Sequence, residues 1–282
     1  MAELRTFATA PKAGEPAVSR PCPLCSSRAV GKRWLAQGVE FLRCASCGLW
    51  RQDPQPEPSA VAARYDHSYL AYETARHLEY RSIALKSLAE AGLEPGRRPD
   101  GGSSILEIGC ATGALLSVFK DRGWSCAGVE LSPELASYAR STFGLDVQAC
   151  RLEEARLDAL SFDVVMALHL IEHVNDPRAF LAAARRAVKP GGRLYLITPN
   201  ADGFQAWLKG QEWRSAIRDH LYLFSARTLG AMLKAEGFRV ESARTWGGWP
   251  AGMRPRWLKK PMDAAVKRLG LGDVMVLRAR PA

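Results

Sequence analysis

Nothing in the 282 residues approaches the roughly 20 consecutive apolar residues of a membrane-crossing helix, so the sequence excludes such a span. The opening stretch, MAELRTFATAPKAGEPAV, lacks the apolar centre of a secretory leader. A cytoplasmic protein with a loose tail over residues 1–20 is expected. Histidine is scarce, with five in all, so few side chains can take up a proton near neutral pH. Acidic residues are outnumbered, 29 against 39 basic ones, for a net charge of +10. The excess is uneven: +3 over residues 1–60, −1 over 61–200 and +8 over 201–282. A basic C-terminal third suits an acidic small molecule, nucleic acid or an anionic membrane surface, and equally a solubilising surface.

Cysteine is not scarce. Cys110, Cys126 and Cys150 read as small buried hydrophobes. The other four stand as CPLC (22–25) and CASCG (44–48), two Cys-x2-Cys pairs separated by 18 residues. Cys22, Cys25, Cys44 and Cys47 therefore offer four soft thiolates at zinc-ribbon spacing, which suits tetrahedral Zn²⁺. Disulfides are the competing reading and do not suit a cytoplasmic chain. An all-cysteine set leaves no open coordination position, so the metal is expected to be structural. Two short strands around Gly38 fill the interval, and RQDPQPEPSA (51–60) reads as a stiff linker ending a module of residues 21–60.

Residues 61–102 read as a lead-in helix and loop. Tyr65, Tyr69, Tyr72 and Arg76 share one helical face. They either dock the helix on the next domain or cover a bound ligand.

From residue 103 to 282 strands and helices alternate. SILEIGC, SCAGVEL, DVQAC, FDVVMALHL and RLYLITPN read as near-continuous apolar strands. PRAFLAAARRAVKPGG reads as a helix ended by Gly191 and Gly192, and DVMVLRARP as a last strand closing the sheet against FRVESARTW. The expectation is an α/β, Rossmann-like, doubly wound fold with a mostly parallel seven-stranded sheet, preceded by the small zinc-ribbon module. Ligands of such sheets sit at the carboxyl ends of the strands.

The turn there is ILEIGCATG (105–113). It has no Gly-Lys-Ser/Thr for a P-loop, and it is one glycine short of the dinucleotide pattern. Glu107 ends the strand, where a carboxylate repels a diphosphate and favours a cationic tail. Glu130 ends the next strand, 17 residues beyond Gly113, where a carboxylate can accept both ribose hydroxyls. An adenosine with a cationic, phosphate-free tail satisfies both acids, and S-adenosylmethionine is such a molecule.

At LEIGCATG, GVELS, FDVVMALHLIEHVNDP, KPGGRLYLITPN, HLYLFS (220–225) and AEGFRV (235–240) the chain resembles the class I S-adenosylmethionine-dependent methyltransferases, in particular the ubiquinone O-methyltransferase-like branch. The resemblance implies that Glu107, Gly109, Ala111 and Gly113 hold the methionine end and Glu130 the ribose. Leu131 then packs on the adenine, Leu152 and Glu153 lie near its edge, and His169 sits at the end of the fourth strand. Ala111 departs from the glycine that many members carry.

Methyl transfer from a sulfonium is an in-line displacement, so the protein chiefly aligns the reactants. A base is needed only where the acceptor must lose a proton. HLIEH (169–173) matches a metalloprotease string, but its first histidine ends a strand, so the protease reading is set aside. His169, His173 and His220 remain as candidate bases. A substrate-side insertion is expected near 201–225, with Trp207, Trp213, Tyr222 and Phe224 as an apolar wall or a local mini-core, and Arg214 or Arg218 for an acidic group. Met262, Ala265, Val266 and Leu269 make an apolar stripe on a basic C-terminal helix.

The leading expectation is methylation of a small-molecule acceptor, with O favoured over N or C. An RNA methyltransferase docking through the zinc module and basic region, a sugar C-methyltransferase, and a non-catalytic cofactor-binding protein stay open as alternatives.

Overall fold

The computed structural model describes residues 20–64, 67–96, 103–249 and 256–282. The tail over residues 1–19, Tyr65 and the loop at 97–102 lie outside the described residues.

Strands β1 (Val30–Ala36) and β2 (Val39–Cys44) form a hairpin across Gln37–Gly38, both with positive φ. That is the mirror-image two-residue turn that matches strand twist. Strand β3 (Trp50–Gln52) pairs antiparallel with β2. The first two residues of the expected linker are thus strand, and Arg51, Gln52 and Asp53 are buried. Helices α1 (Pro58–Ala62) and α2 (His67–Glu90) follow.

The alternating part then runs β4 (Ser104–Ile108), α3 (Ala114–Lys120), β5 (Ser125–Glu130), α4 (Pro133–Phe143), β6 (Asp146–Ala149), β7 (Phe162–Leu168), α5 (Pro177–Ala187) and β8 (Val188–Pro199). Local chemistry sets the helix starts. Ser132 and Asp176 accept first-turn amides of α4 and α5, each followed by proline at the first helical position. The end of α5 differs from expectation: the helix stops at Ala187 and strand begins at Val188, ahead of the two glycines. Pro190 restricts Lys189 to extended backbone, and β-branched Val188 favours strand.

The remainder is α6 (Phe204–Lys209), β9 (Tyr222–Leu223), α7 (Ala226–Ala235), β10 (Phe238–Trp246), α8 (Lys259–Arg268) and β11 (Val274–Pro281). The large sheet has the order β10-β11-β8-β7-β4-β5-β6, with β11 alone running against its neighbours. Strand β11 pairs with β10 as expected, but it lies inside the sheet and β10 is the edge. Alternate residues of the central strands feed opposite faces. Leu106, Ile108, Val165 and Leu196 pack toward α5 and α7, while Ile105, Val164, Met166 and Ile197 pack toward α2, α3 and α4. The C-terminal apolar stripe is mostly unpacked: Val266 is buried and Leu269 is exposed.

Strand β9 does not join the large sheet. It pairs with β3, so the small antiparallel sheet reads β1-β2-β3-β9 and takes its fourth strand from the expected insertion. Among the described residues, no helix is long and apolar enough to cross a membrane.

Candidate active site

The chain winds β4, β5, β6 to one side and β7, β8 to the other, so the loops after β4 and β7 diverge at a switch point. A cavity of about 1200 Å³ opens there. Glu107, on β4, lines it with one carboxylate oxygen buried and without a hydrogen-bond partner. Burial, and then the charge of Glu130, push its carboxyl well above the usual range. A buried carboxylate in that state favours an incoming cation.

Glu130, at the end of β5, accepts the amide N–H of Ala111 and of Ser132, each at 2.9 Å. It thereby ties the glycine turn to β5 while each oxygen keeps a further lone pair for a ligand. Gly109 and Gly113 both adopt left-handed φ. Gly113 does not line the cavity: a Cβ there would meet Ala139 and Leu145 at under 3 Å, so its task is to let α3 and α4 close. Ala111 bears a methyl group at φ +47°, a region disfavoured for side-chain-bearing residues. Leu131, Leu152, Glu153 and His169 also line the cavity.

Helix α2 supplies a wall that the sequence reading had only in part. Tyr69 and Tyr72 line the cavity, joined by Glu73, His77, Tyr80 and Arg81. Arg76 is exposed and donates to the Tyr72 hydroxyl at 2.9 Å. Burial raises the Glu73 carboxyl, and its charge in turn adds to the upward shift that burial imposes on Glu130. The available signal was the run of polar and aromatic residues at 69, 72, 73, 77 and 80 on one helical face.

The histidines divide by burial. His169 follows β7 at φ +51°, an uncommon conformation for a non-glycine residue. His173 also lines the cavity, and its Nδ1 is 2.9 Å from the carbonyl oxygen of Asp219. His220 is absent from the lining; it is 7% exposed, edge-on to His173 at 4.7 Å, with Nδ1 bonded to the Ser215 carbonyl. Of the three candidate bases, His220 is thus a backing residue. Behind them Glu172, 1% exposed, accepts from Thr198 Oγ1 at 2.9 Å. Burial opposes its charge, yet the surrounding imidazoles draw its carboxyl down to about 2. Glu172, His173 and His220 place donor atoms within 4.8 Å of one another, a set that also suits a divalent cation.

Burial pushes the His220 imidazole down to about 4, against the pull of Glu172. In the unfolded chain it titrates near 6.5. The unfolded state therefore binds more protons between those values, and stability falls as pH drops through that window. Glu172 changes only below the ordinary carboxylate range, and the raised carboxyls of Glu73, Glu107 and Glu130 add an opposing slope shared by any variant at 220, so the difference between wild type and His220→Asn from pH 7 to 5 isolates His220. Urea unfolding is expected to show a loss on the order of 2 kcal/mol at pH 5 from this group. The His220→Asn variant should lack that slope.

Of the two readings of the 201–225 aromatics, packing in cores prevails over a cavity wall. Trp207 is 71% exposed, Trp213 is buried with Trp34 and Trp50, and Tyr222 and Phe224 belong to the main core. Trp246 and Trp249 line the cavity instead, with Arg64 and Arg214. Arg214 pairs with buried Asp273, which also accepts the Trp213 indole N–H. Arg218 is absent from the lining.

All seven cysteines are reduced. Cys22, Cys25, Cys44 and Cys47 bring their sulfurs within 4.8 Å of one another, with Cys22–Cys47 and Cys25–Cys44 at 3.5 Å. Bonds of about 2.3 Å to a tetrahedral zinc would separate the sulfurs by roughly 3.8 Å, so the set fits the ion. Tight turns close both pairs, Ser26 N–H to the Cys22 carbonyl and Gly48 N–H to that of Cys44. Lys32, Arg43 and Arg227 border the knuckle, where they offset the negative charge of four thiolates.

Comparison with known proteins places the chain in a methyltransferase fold. A family described as Methyltransferase domain matches residues 74–243. The ubiquinone biosynthesis O-methyltransferase of Idiomarina loihiensis is 36% identical over 115 residues, 39% of this chain and 47% of that protein. The Hahella chejuensis protein of the same name is 33% identical over 128 residues, 43% and 51% of the two chains. The chain spans about half the length of the curated relatives it matches. Among solved structures, a SAM-dependent methyltransferase of Thermotoga maritima superimposes with a TM-score of 0.56 at 24% identity, covering 79% of this chain and 99% of that one. A chain from the complex of the Haloferax volcanii Trm112 methyltransferase activator with a methyltransferase gives 0.54 at 19% identity, covering 79% and 95%.

Proposed function

Because the chain belongs to the S-adenosylmethionine-dependent methyltransferases, its domain match covering residues 74–243, we propose that it methylates an oxygen of a small aromatic acceptor. The observation that carries this reading is His173 on the cavity wall with Nδ1 at the Asp219 carbonyl. A ring that donates from Nδ1 keeps its lone pair on Nε2, which can accept a proton.

The unpartnered oxygen of Glu107 takes the methionine ammonium, Glu130 accepts the ribose hydroxyls, and Leu131, Leu152 and Glu153 border the adenine. S-adenosylmethionine supplies an activated methyl group. An acceptor hydroxyl held beside that methyl group would take it with release of S-adenosylhomocysteine, and His173 would take the hydroxyl proton. His77 and His169 line the same cavity. The cavity of about 1200 Å³ exceeds the usual single-ligand range of roughly 300–1,000 Å³, leaving room for an acceptor beside the cofactor. Tyr69, Tyr72, Tyr80, Trp246 and Trp249 suit an aromatic ring, and Arg64 an acidic substituent. The activity in the names of those two relatives, O-methylation, points the same way. The four cysteines hold a structural zinc.

The test is transfer of labelled methyl from S-adenosylmethionine into fractionated cell extract. Label in the small-molecule fraction, lost upon base treatment only if esterified, supports the reading. Label confined to RNA overturns it. His173→Ala should lower kcat by roughly 10²–10³-fold while cofactor affinity, read by calorimetry, stays unchanged.

A further inference from the structure

We infer that Gln52 is a positioning residue: it carries the order of the cysteine knuckle to the His173 imidazole. The inference rests on the reading of His173 given above.

The path is short and continuous. Strand β3 begins three residues after Cys47 and is locked to the knuckle by the bond from Cys44 N–H to the Leu49 carbonyl. Arg227, at the start of α7, donates to the Cys47 carbonyl at 2.7 Å and clamps the knuckle from the other side. Gln52 ends β3, 3% exposed. Its backbone N–H donates to the Leu221 carbonyl at 2.8 Å, and its side-chain Nε2 donates to the Arg218 carbonyl at 3.0 Å. One residue thus grips both ends of the 218–221 turn.

The other side of that turn holds the site. The Asp219 carbonyl meets His173 Nδ1, and Leu221 N–H donates to the Glu172 carbonyl at 2.7 Å. Asn175 Nδ2 donates to the Pro56 carbonyl at 3.0 Å, so the chain leaving β3 also ties down the residues after His173. A buried amide side chain is costly unless bonded, and an apolar side chain at 52 would pack there without holding the turn. The bond that sets the tautomer of a functional imidazole governs its use. Here that acceptor, the Asp219 carbonyl, lies in the turn between the Arg218 and Leu221 carbonyls that Gln52 holds.

The experiment compares wild type with Gln52→Met, both full length, zinc-loaded and bound to S-adenosylhomocysteine. Long-range ¹⁵N–¹H spectra read the His173 tautomer, with His173→Ala for assignment. Wild type should show Nδ1–H alone. Gln52→Met should show a tautomer mixture, with metal content and S-adenosylhomocysteine affinity unchanged and labelled-methyl turnover down roughly 10-fold. Gln52→Glu, which keeps the length but offers no donor when ionised, should show the same mixture and covers the case where methionine impairs folding. A folded, zinc-loaded variant whose His173 keeps the wild-type tautomer overturns the inference. If His173→Ala leaves turnover intact, the base assignment falls, while the tautomer spectra still decide the role of Gln52.

Discussion

Glu130→Ala is expected to keep its zinc and its fold yet bind S-adenosylmethionine about 10³-fold more weakly. The carboxylate serves both loop and ligand. Its two oxygens already hold the amides of Ala111 and Ser132, and by our reading they also accept the ribose hydroxyls. Hydrogen bonds to a charged acceptor contribute about 1.5–3 kcal/mol each, and a buried amide left bare costs about 1–3 kcal/mol. Losing the ribose contacts and loosening the turn together reach about 4 kcal/mol, which is a thousandfold in affinity. Glu130→Gln retains one acceptor oxygen and should fall in between. Titration calorimetry at fixed ionic strength measures all three proteins. Wild-type affinity in Glu130→Ala would remove the ribose assignment and leave the Glu107 end of the cofactor site standing.

The glycine turn and its two acids were legible because their placement is local. Glu107 and the turn through Gly113 lie within seven residues, and Glu130 follows one helix later, so strand, turn and acid can be read together. Gly113 was legible as a glycine but not in its task, because α4 supplies the side chains that a Cβ would strike. The acceptor side was less legible. Glu73, His77, Tyr80 and Arg81 reach the cavity through the docking of α2, a long-range event that periodicity marks only as a face. His220 was grouped with its fellow histidines by residue type, and only packing shows that His173 stands between it and the cavity side. Pairing of β3 with β9 joins residues some 170 positions apart across a two-residue strand, which carries almost no alternation to read. The misplaced end of α5 has a local cause that was available, since Pro190 stands two residues after Val188.

Removing the zinc that we propose the cysteine knuckle holds, by Cys44→Ser or by a chelator, is expected to collapse far more than residues 21–60. Cys22 and Cys44 are buried in the same core as Leu49, Leu221, Tyr222 and Phe224. A second cluster joins Trp34 and Trp50, stacked at 4.2 Å, to Trp213 and Leu223. The small sheet therefore has no seam along which it could detach. Structural zinc in small domains contributes about 10–16 kcal/mol of apparent binding free energy near neutral pH, against a usual net stability of about 5–15 kcal/mol. Loss of the ion should release β9 and the 218–221 turn, and with them the backbone that holds His173 and Glu172. Labelled-methyl turnover should fall below detection and the first thermal transition should drop by more than 10 °C, since about 1 kcal/mol moves a domain of this size by roughly 2–4 °C. Cofactor binding should outlast turnover at low temperature, because Glu107 and Glu130 sit on β4 and β5 in the other sheet. Metal analysis, thermal melting and calorimetry on one preparation separate these effects. A zinc-free Cys44→Ser protein that melts with wild type and still transfers methyl groups would show that the knuckle is dispensable to the site, and the link through β3 would fall with it.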